Sequence, residues 1–404
     1  MSKSMIAGKK KIVITCSRGV AAVLGRELGV LGFPVLFSTE TAVTTEGTLT
    51  DAMVLNLSLR TGQRVLFLLG EFESKDASDL YKGLYQMGWE EVIDERGYIC
   101  ITSSVQNLSV RDTRYANVRC KDAIVDRMRE KRGSRPDSGP DRENLVLFLH
   151  WREEDAAVYL DTSGVPLSRR GYRKIPMEAP MQETLAAAVV LSTGWTGKGH
   201  FINPMCGSGT LAIEAALIGL KRAPGLLRNN YSFMHLKGFD GSVWDSVRSR
   251  ARTSAEKSLP GRIIATDIRP EAVEAARRNA VTAGVGHLIE FNVCDYAMSE
   301  VPEGGGVVVV NPEYGARMGK IRELENVYRG IGDYFKHGCG GYRGYIFTGN
   351  LGLAKKVGLR SSKRTVFFNG DIECRLIEYE LYEGSRKYRQ GTRPDDVRED
   401  TYND

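Results

Sequence analysis

Up to about residue 163, apolar positions come in short blocks of alternating period. Runs at 11–16, 35–37, 42–45, 65–69 and 99–103, and again at 146–150 and 156–160, are rich in β-branched and aromatic residues. They predict strands, the last two as a hairpin. Between them, residues 19–28, 51–59, 79–87 and 116–132 repeat apolar side chains at three- and four-residue spacing. Those predict helices, with Thr50 as the N-cap of the second. Residues 135–142, rich in Pro, Gly and Asp, read as a loop. The mixture predicts α+β modules with helices on one face of a small sheet.

Beyond residue 164 the rhythm changes. Strands expected at 199–202, 262–267, 288–291, 307–310 and 345–348 alternate with helices expected at 183–192, 211–220, 271–282 and 323–335. That alternation predicts a parallel sheet wound by helices on both faces. An irregular stretch at 221–260 ends in a helix over 244–258. A short helix follows at 354–357, and runs at 365–368 and 374–381 predict a closing antiparallel pair. The polar tail, 384–404, predicts disorder.

Two tips of that second half carry candidate chemistry. Asn203-Pro204-Met205-Cys206-Gly207-Ser208-Gly209-Thr210 joins an expected strand to an expected helix. Its glycines let backbone approach a ligand, and the N–H groups at the helix start face it. Asp267, followed by Ile268, ends the next strand, where a carboxylate can accept from both ribose hydroxyls. Asp295 lies beyond a third strand, in reach of an adenine amine; each acid alone also fits an ordinary surface turn. No Gly-Lys-Ser/Thr follows the glycine turn, which excludes a triphosphate P-loop. Adenine and ribose with little phosphate point to S-adenosylmethionine as cofactor.

The other tip is Asn311-Pro312-Glu313-Tyr314-Gly315, after four consecutive valines. The Asn311 amide oxygen and the Pro312 carbonyl can accept the two hydrogens of an exocyclic base amine. Its lone pair is then aimed at the methyl group while Tyr314 stacks on the ring. One such stack is worth roughly 1–3 kcal/mol, comparable with the few kcal/mol needed to extrude a base. A plain Asn-Pro turn is the alternative.

Composition narrows the setting. A chain of 404 residues, 42% hydrophobic and 26% charged, is an ordinary globular balance with room for two or three cores. The net charge of +6 permits an acidic partner such as RNA without establishing one. Seven cysteines without a CxxC pair exclude zinc-ribbon and thioredoxin-like sites and predict reduced thiols and no metal. No apolar run approaches the ~20 residues of a membrane span, so a cytoplasmic location is expected. Basic residues concentrate twice. On helix 116–132, Arg119, Lys121, Arg127, Arg129, Lys131 and Arg132 suit either RNA or a solvated face. In the segment 161–174, Arg169, Arg170, Arg173 and Lys174 surround Tyr172, which suits single-stranded RNA or an ordinary linker.

The chain resembles class I S-adenosylmethionine-dependent RNA methyltransferases with an N-terminal THUMP domain. Within them it is most similar to the bacterial large-subunit ribosomal RNA guanine-N2 methyltransferases. The likeness rests on 46–51 and 59–64 for a ferredoxin-like module, and on 160–164 with 169–173 for the end of THUMP. It continues through 179–188, the cofactor turn 203–214 and the closing strand 374–379. The resemblance implies an α/β, Rossmann-like methyltransferase domain preceded by α+β ferredoxin-like and THUMP domains. Expected boundaries are 1–70, 71–163 and 164–383, with a disordered tail at 384–404. It further implies S-adenosylmethionine at Asn203, Cys206, Gly207, Ser208, Gly209, Thr210, Asp267, Ile268 and Asp295, and catalysis by Asn311, Pro312 and Tyr314. RNA, either 23S rRNA or its precursor particle, is expected at Arg169, Arg170, Tyr172 and Arg173, with N2-methylguanosine as product. A transfer RNA enzyme and an RNA-binding assembly factor of weak activity are the alternatives. Asn203 stands where the family usually has Asp, and Glu313 where it usually has a second Pro.

Overall fold

A computed structural model describes residues 5–110, 112–175, 177, 181–314 and 321–382. Gly315, Ala179, Pro180 and the tail beyond residue 382 lie outside the described residues.

The first half forms strands β1 (Lys10–Thr15), β2 (Phe37–Ser38), β3 (Ala42–Gly47), β4 (Arg64–Glu73), β5 (Tyr98–Gln106), β6 (Asp137–Ser138), β7 (Leu145–Arg152) and β8 (Asp155–Asp161). With them come helices α1 (Ala21–Val30), α2 (Leu49–Ser58), α3 (Ala77–Gln86) and α4 (Thr113–Arg132). The strands build one eight-stranded sheet, ordered β2-β3-β1-β4-β8-β7-β5-β6. The expected meeting point of the first two modules, residue 70, falls inside β4. This strand pairs with β1 through Arg64–Phe67 and with β8 through Leu66–Glu73, with a register shift between Leu68 and Gly70.

The N-cap of α2 is Thr48, not Thr50. Thr48 accepts from the Asp51 N–H at 3.2 Å, and Asp51 accepts from the Thr48 N–H at 2.7 Å. That reciprocal capping box needs the three-residue spacing, which Thr50 lacks.

The second half follows the predicted alternation. Its elements are α5 (Glu183–Ser192), β9 (His200–Pro204), α6 (Thr210–Gly219), α7 (Gly241–Thr253), β10 (Ile263–Asp267), α8 (Pro270–Thr282) and β11 (Ile289–Val293). After them come β12 (Gly306–Val310), α9 (Ile321–Gly338), β13 (Arg343–Thr348), α10 (Leu351–Ala354), β14 (Lys363–Asn369) and β15 (Ile372–Glu380). Seven strands run in the order β11-β10-β9-β12-β13-β15-β14. The first five are parallel, and β15 is antiparallel to both of its neighbours. Val307, Val308, Val309 and Val310 are all buried because helices cover both faces of β12. Chain order reverses at β9, flanked by β10 and β12, so the loops after β9, β10 and β12 open onto one crevice.

Candidate functional site

The glycine turn is built for close approach. Met205 already has a φ of +56°, and the Cys206 N–H donates to the Thr266 carbonyl at 2.8 Å, tying the turn to β10. Gly209 has a φ of +81°, and a Cβ there would lie 2.8 Å from the Ala276 Cβ, so no side chain fits. Gly207, with a φ of +55°, has nothing within 4 Å of its Cβ position. Helix α6 starts at Thr210 without a side-chain cap. Its first N–H groups therefore favour a negatively charged ligand group. Burial pushes the Cys206 thiol up, which makes it a packing group rather than a nucleophile. Ser208 is held by its carbonyl, which accepts from Asn279 Nδ2 at 3.2 Å.

Two carboxamides stand at neighbouring strand ends. Asn203 is fully buried, and its Nδ2 donates to the Val309 carbonyl at 2.9 Å, bridging β9 and β12. The usual family carboxylate could not donate that bond. Asn203 Oδ1 and Asn311 Oδ1 are both buried without a hydrogen-bond partner among the described residues. An unsatisfied buried acceptor costs about 1–3 kcal/mol, so each oxygen marks a place for a donor.

Asp267 is nearly buried. Its Oδ2 accepts from the Gly207 N–H at 2.9 Å, and its Oδ1 from the Arg269 N–H at 3.1 Å. The carboxylate thus anchors the glycine turn while Oδ2 keeps a lone-pair direction. Ile268 is 65% exposed, and Val293, opposite Asp267 on β11, is 51% exposed, an open apolar surface where polar turns are usual. Asp295 is exposed and caps the next turn by accepting from the Ala297 N–H at 2.9 Å. Acids for ribose and amine, apolar side chains for a ring face and two orphaned oxygens for hydrogen donors suit S-adenosylmethionine.

At the second tip, Pro312 is buried and Glu313 exposed. Tyr314 Oη accepts from Asn369 Nδ2 at 2.9 Å, and the Cys374 thiol lies 3.9 Å away. Burial pushes the Tyr314 hydroxyl up to about 12, so it stays protonated at neutral pH. Asn369 did not stand out in the sequence, and Cys374 only as the start of the closing strand, since hairpin residues have no local mark of a partner 55 positions upstream.

The basic segment before α5 differs from expectation. Arg170 and Tyr172 are not available to RNA, because both are 1% exposed. Arg170 donates to the Leu167 carbonyl at 3.0 Å, to the Leu59 carbonyl at 3.3 Å and to Glu214 at 3.3 Å. Tyr172 Oη donates to Glu214 Oε1 at 3.1 Å, and burial followed by the Glu214 charge pushes that hydroxyl far up. Glu214 sits on α6, whose ten residues are all buried. A lone acid in such a helix requires a buried cation, and Arg170 supplies it while gripping the end of α2. Arg173 likewise turns inward, pairing with Glu183 at 3.4 Å and donating to Thr210 Oγ1 at 3.2 Å. Arg169 and Lys174 remain exposed. Asn279 locks the segment to the glycine turn, accepting from the Lys174 and Ile175 N–H groups at 3.0 and 3.2 Å.

On α4 the cations have local partners. Arg127 pairs with Glu90 at 2.7 Å, Lys121 with Asp122 at 2.8 Å and Lys131 with Glu130 at 2.7 Å. Arg129 and Arg132 lie 4.0 Å from Asp126 and Glu95, and Arg119 covers the Tyr81 ring at 4.7 Å. This pairing favours the solvated face over an RNA stripe.

Comparison with known proteins agrees with this architecture. Residues 170–378 match the RMKL-like methyltransferase domain, 11–66 the RlmL ferredoxin-like domain and 74–161 the THUMP domain. The ribosomal RNA large subunit methyltransferase K/L of Syntrophotalea carbinolica is 36% identical over 92% of this chain and 54% of its own length. The chain thus spans about half the length of that relative. Slr0064 of Synechocystis sp., provisionally named an RNA methyltransferase, is 32% identical over 91% of this chain and 96% of its own. The solved structure of SMU.472 complexed with SAH superposes with a TM-score of 0.85 at 26% identity, covering 94% of this chain and all of that one. With the parallel sheet, the glycine turn and the Asn-Pro-x-Tyr tip in place, the chain belongs to the RMKL-like methyltransferase family, carrying RlmL-type ferredoxin-like and THUMP domains ahead of that domain.

Proposed function

We propose that the chain is an S-adenosylmethionine-dependent RNA methyltransferase that forms N2-methylguanosine, with 23S rRNA as substrate. The observation that carries this reading is the half-buried Asn311, whose Oδ1 lacks a hydrogen-bond partner among the described residues, at the end of β12 beside the strand β9 that leads into the glycine turn. Bound S-adenosylmethionine supplies an electrophilic methyl group on a sulfonium. Asp267 and Asp295 take its ribose and adenine, while Asn203, fully buried, ties the end of β9 to β12. Asn311 Oδ1 and the Pro312 carbonyl accept the two hydrogens of the guanine amine. They thereby draw its delocalised lone pair out of the ring plane toward the methyl carbon. Transfer of that methyl group would leave the guanine nitrogen positive, and the Asn311 oxygen would stabilise the charge until a proton leaves to water. Tyr314, protonated and tied to Asn369, presents its ring to the base. Catalysis by positioning and electrostatics needs no nucleophile from the protein.

The full chain, given labelled S-adenosylmethionine and unmodified 23S rRNA, is expected to yield labelled N2-methylguanosine after nuclease digestion, with transfer RNA unlabelled. Asn311→Ala is expected to slow transfer by roughly a hundredfold or more, with cofactor and RNA affinities near wild type. Label on another nucleoside overturns the reading. RNA binding without any transfer replaces it with an assembly factor.

A further inference from the structure

A cavity of about 220 Å3 opens between the first module and the last hairpin of the methyltransferase sheet. We propose that it takes the base of an RNA nucleotide flanking the target guanine, an assignment that rests on the function proposed above. Its size is below the roughly 300–1,000 Å3 of a whole small-molecule site and suits one planar ring. Ser17 and Arg18 line it from the loop after β1, Gln63 from the position just before β4, Gln182 from the N-cap of α5, and Phe368 and Asn369 from the end of β14.

The cavity is built into the fold rather than left between loose parts. Gly19 presses on β14 so closely that a Cβ would lie 2.6 Å from the Val366 carbonyl oxygen and 2.9 Å from the Phe367 Cα. Loop and strand are thus docked backbone to backbone, and a preformed pocket loses little entropy when it binds.

Its lining offers the three contacts that single-stranded RNA uses. Phe368 is an aromatic plane, half-buried and covered by the Arg18 guanidinium 4.0 Å from the ring centroid. Besides that ring contact, Arg18 has an exposed pair with Glu40 at 3.5 Å, worth about 0–1 kcal/mol, so it can turn to a phosphate. A base then stacks on Phe368. The edge comes from two amides. Gln63 Nε2 donates to Ser17 Oγ at 2.7 Å and to Gln182 Oε1 at 3.3 Å. With both amide hydrogens of Gln63 engaged, its own oxygen and the Gln182 nitrogen are left, among the described residues, as an acceptor–donor pair, the pattern that base edges complement. Asn369 links cavity to chemistry, for the same side chain donates to Tyr314 Oη at 2.9 Å. A base seated here lies one residue away from the tip that holds the guanine.

Phe368→Leu and Gln182→Ala are expected to raise the KM for unmodified 23S rRNA roughly five- to a hundredfold. Cofactor affinity by calorimetry and melting temperature should stay at wild-type values. In the wild-type full chain, ultraviolet irradiation with a 4-thiouridine-containing 23S transcript is expected to cross-link a peptide containing Phe368 or Gln63. An unchanged KM in both variants, or cross-links confined to other surfaces, overturns the proposal. If the wild type methylates a nucleoside other than guanosine, the functional reading falls, while the cross-link still decides whether RNA enters the cavity.

Discussion

Replacing Arg170 by Ala separates a structural strut from an RNA contact. The side chain is 1% exposed and donates to three backbone carbonyls, of Leu59, Arg60 and Leu167, and to Glu214, itself fully buried. Its removal leaves the Glu214 carboxylate with Tyr172 Oη as its remaining hydrogen bond among the described residues. Removing one partner of a buried pair costs roughly 3–5 kcal/mol. Unfolding entropy is about 2.1 cal/mol/K per residue. For a domain the size of 170–378, Arg170→Ala should therefore lower the melting temperature by roughly 7–11 °C. Differential scanning calorimetry of the full chain reads this directly. Arg169→Ala, at an exposed position, should move it by about 1 °C at most. Arg170→Met combined with Glu214→Leu should recover much of the loss, since it removes both charges and keeps the volume. A melting temperature for Arg170→Ala equal to wild type would refute the strut, and a selective loss of RNA affinity in its place would restore the surface reading.

Gly209→Ala should destabilise by roughly 1–3 kcal/mol, because the new Cβ meets Ala276 at 2.8 Å in a left-handed backbone; equal urea midpoints would contradict this. Asn203→Asp loses the donor to the Val309 carbonyl and should cost about 1–3 kcal/mol, a deficit that saturating S-adenosylmethionine should reduce; calorimetry with and without cofactor checks it. The hydrogen bond from Arg127 holds the Glu90 carboxyl below its ordinary value of 4.5. A depressed carboxyl contributes stability that is present above 4.5 and fades as pH falls through its folded value. Glu90→Gln should therefore be less stable than wild type at pH 7, with the gap closing in acid. A gap independent of pH would point to lost packing instead.

The methyltransferase sheet was legible because strands covered on both faces write unbroken apolar runs, as at Val307, Val308, Val309 and Val310. Its ligand tips were legible because a strand end followed by glycine or Asn-Pro is local in sequence. Arg170 and Tyr172 misled because Arg-Arg-Gly-Tyr-Arg has the composition of an RNA patch, and their partner lies 44 and 42 residues on. A signal did exist, for Glu214 is the one charge in a helix apolar on every side. The cap at Thr48 was visible too, in its spacing to Asp51. Asn369 had no such mark, since only the hairpin of β14 and β15 carries it back to Tyr314.

The shared strand β4 has a consequence for how the chain is made. Its second edge waits for β8, and every residue between Glu73 and Asp155 must leave the ribosome before that partner exists. At ~5–20 residues per second, the strand spends several seconds with open N–H and C=O groups along an apolar run, Val65, Leu66, Phe67, Leu68 and Leu69. Such an edge templates pairing with other nascent chains. The register shift between Leu68 and Gly70 belongs to the pairing with β8, so it cannot blunt that edge until β8 has formed.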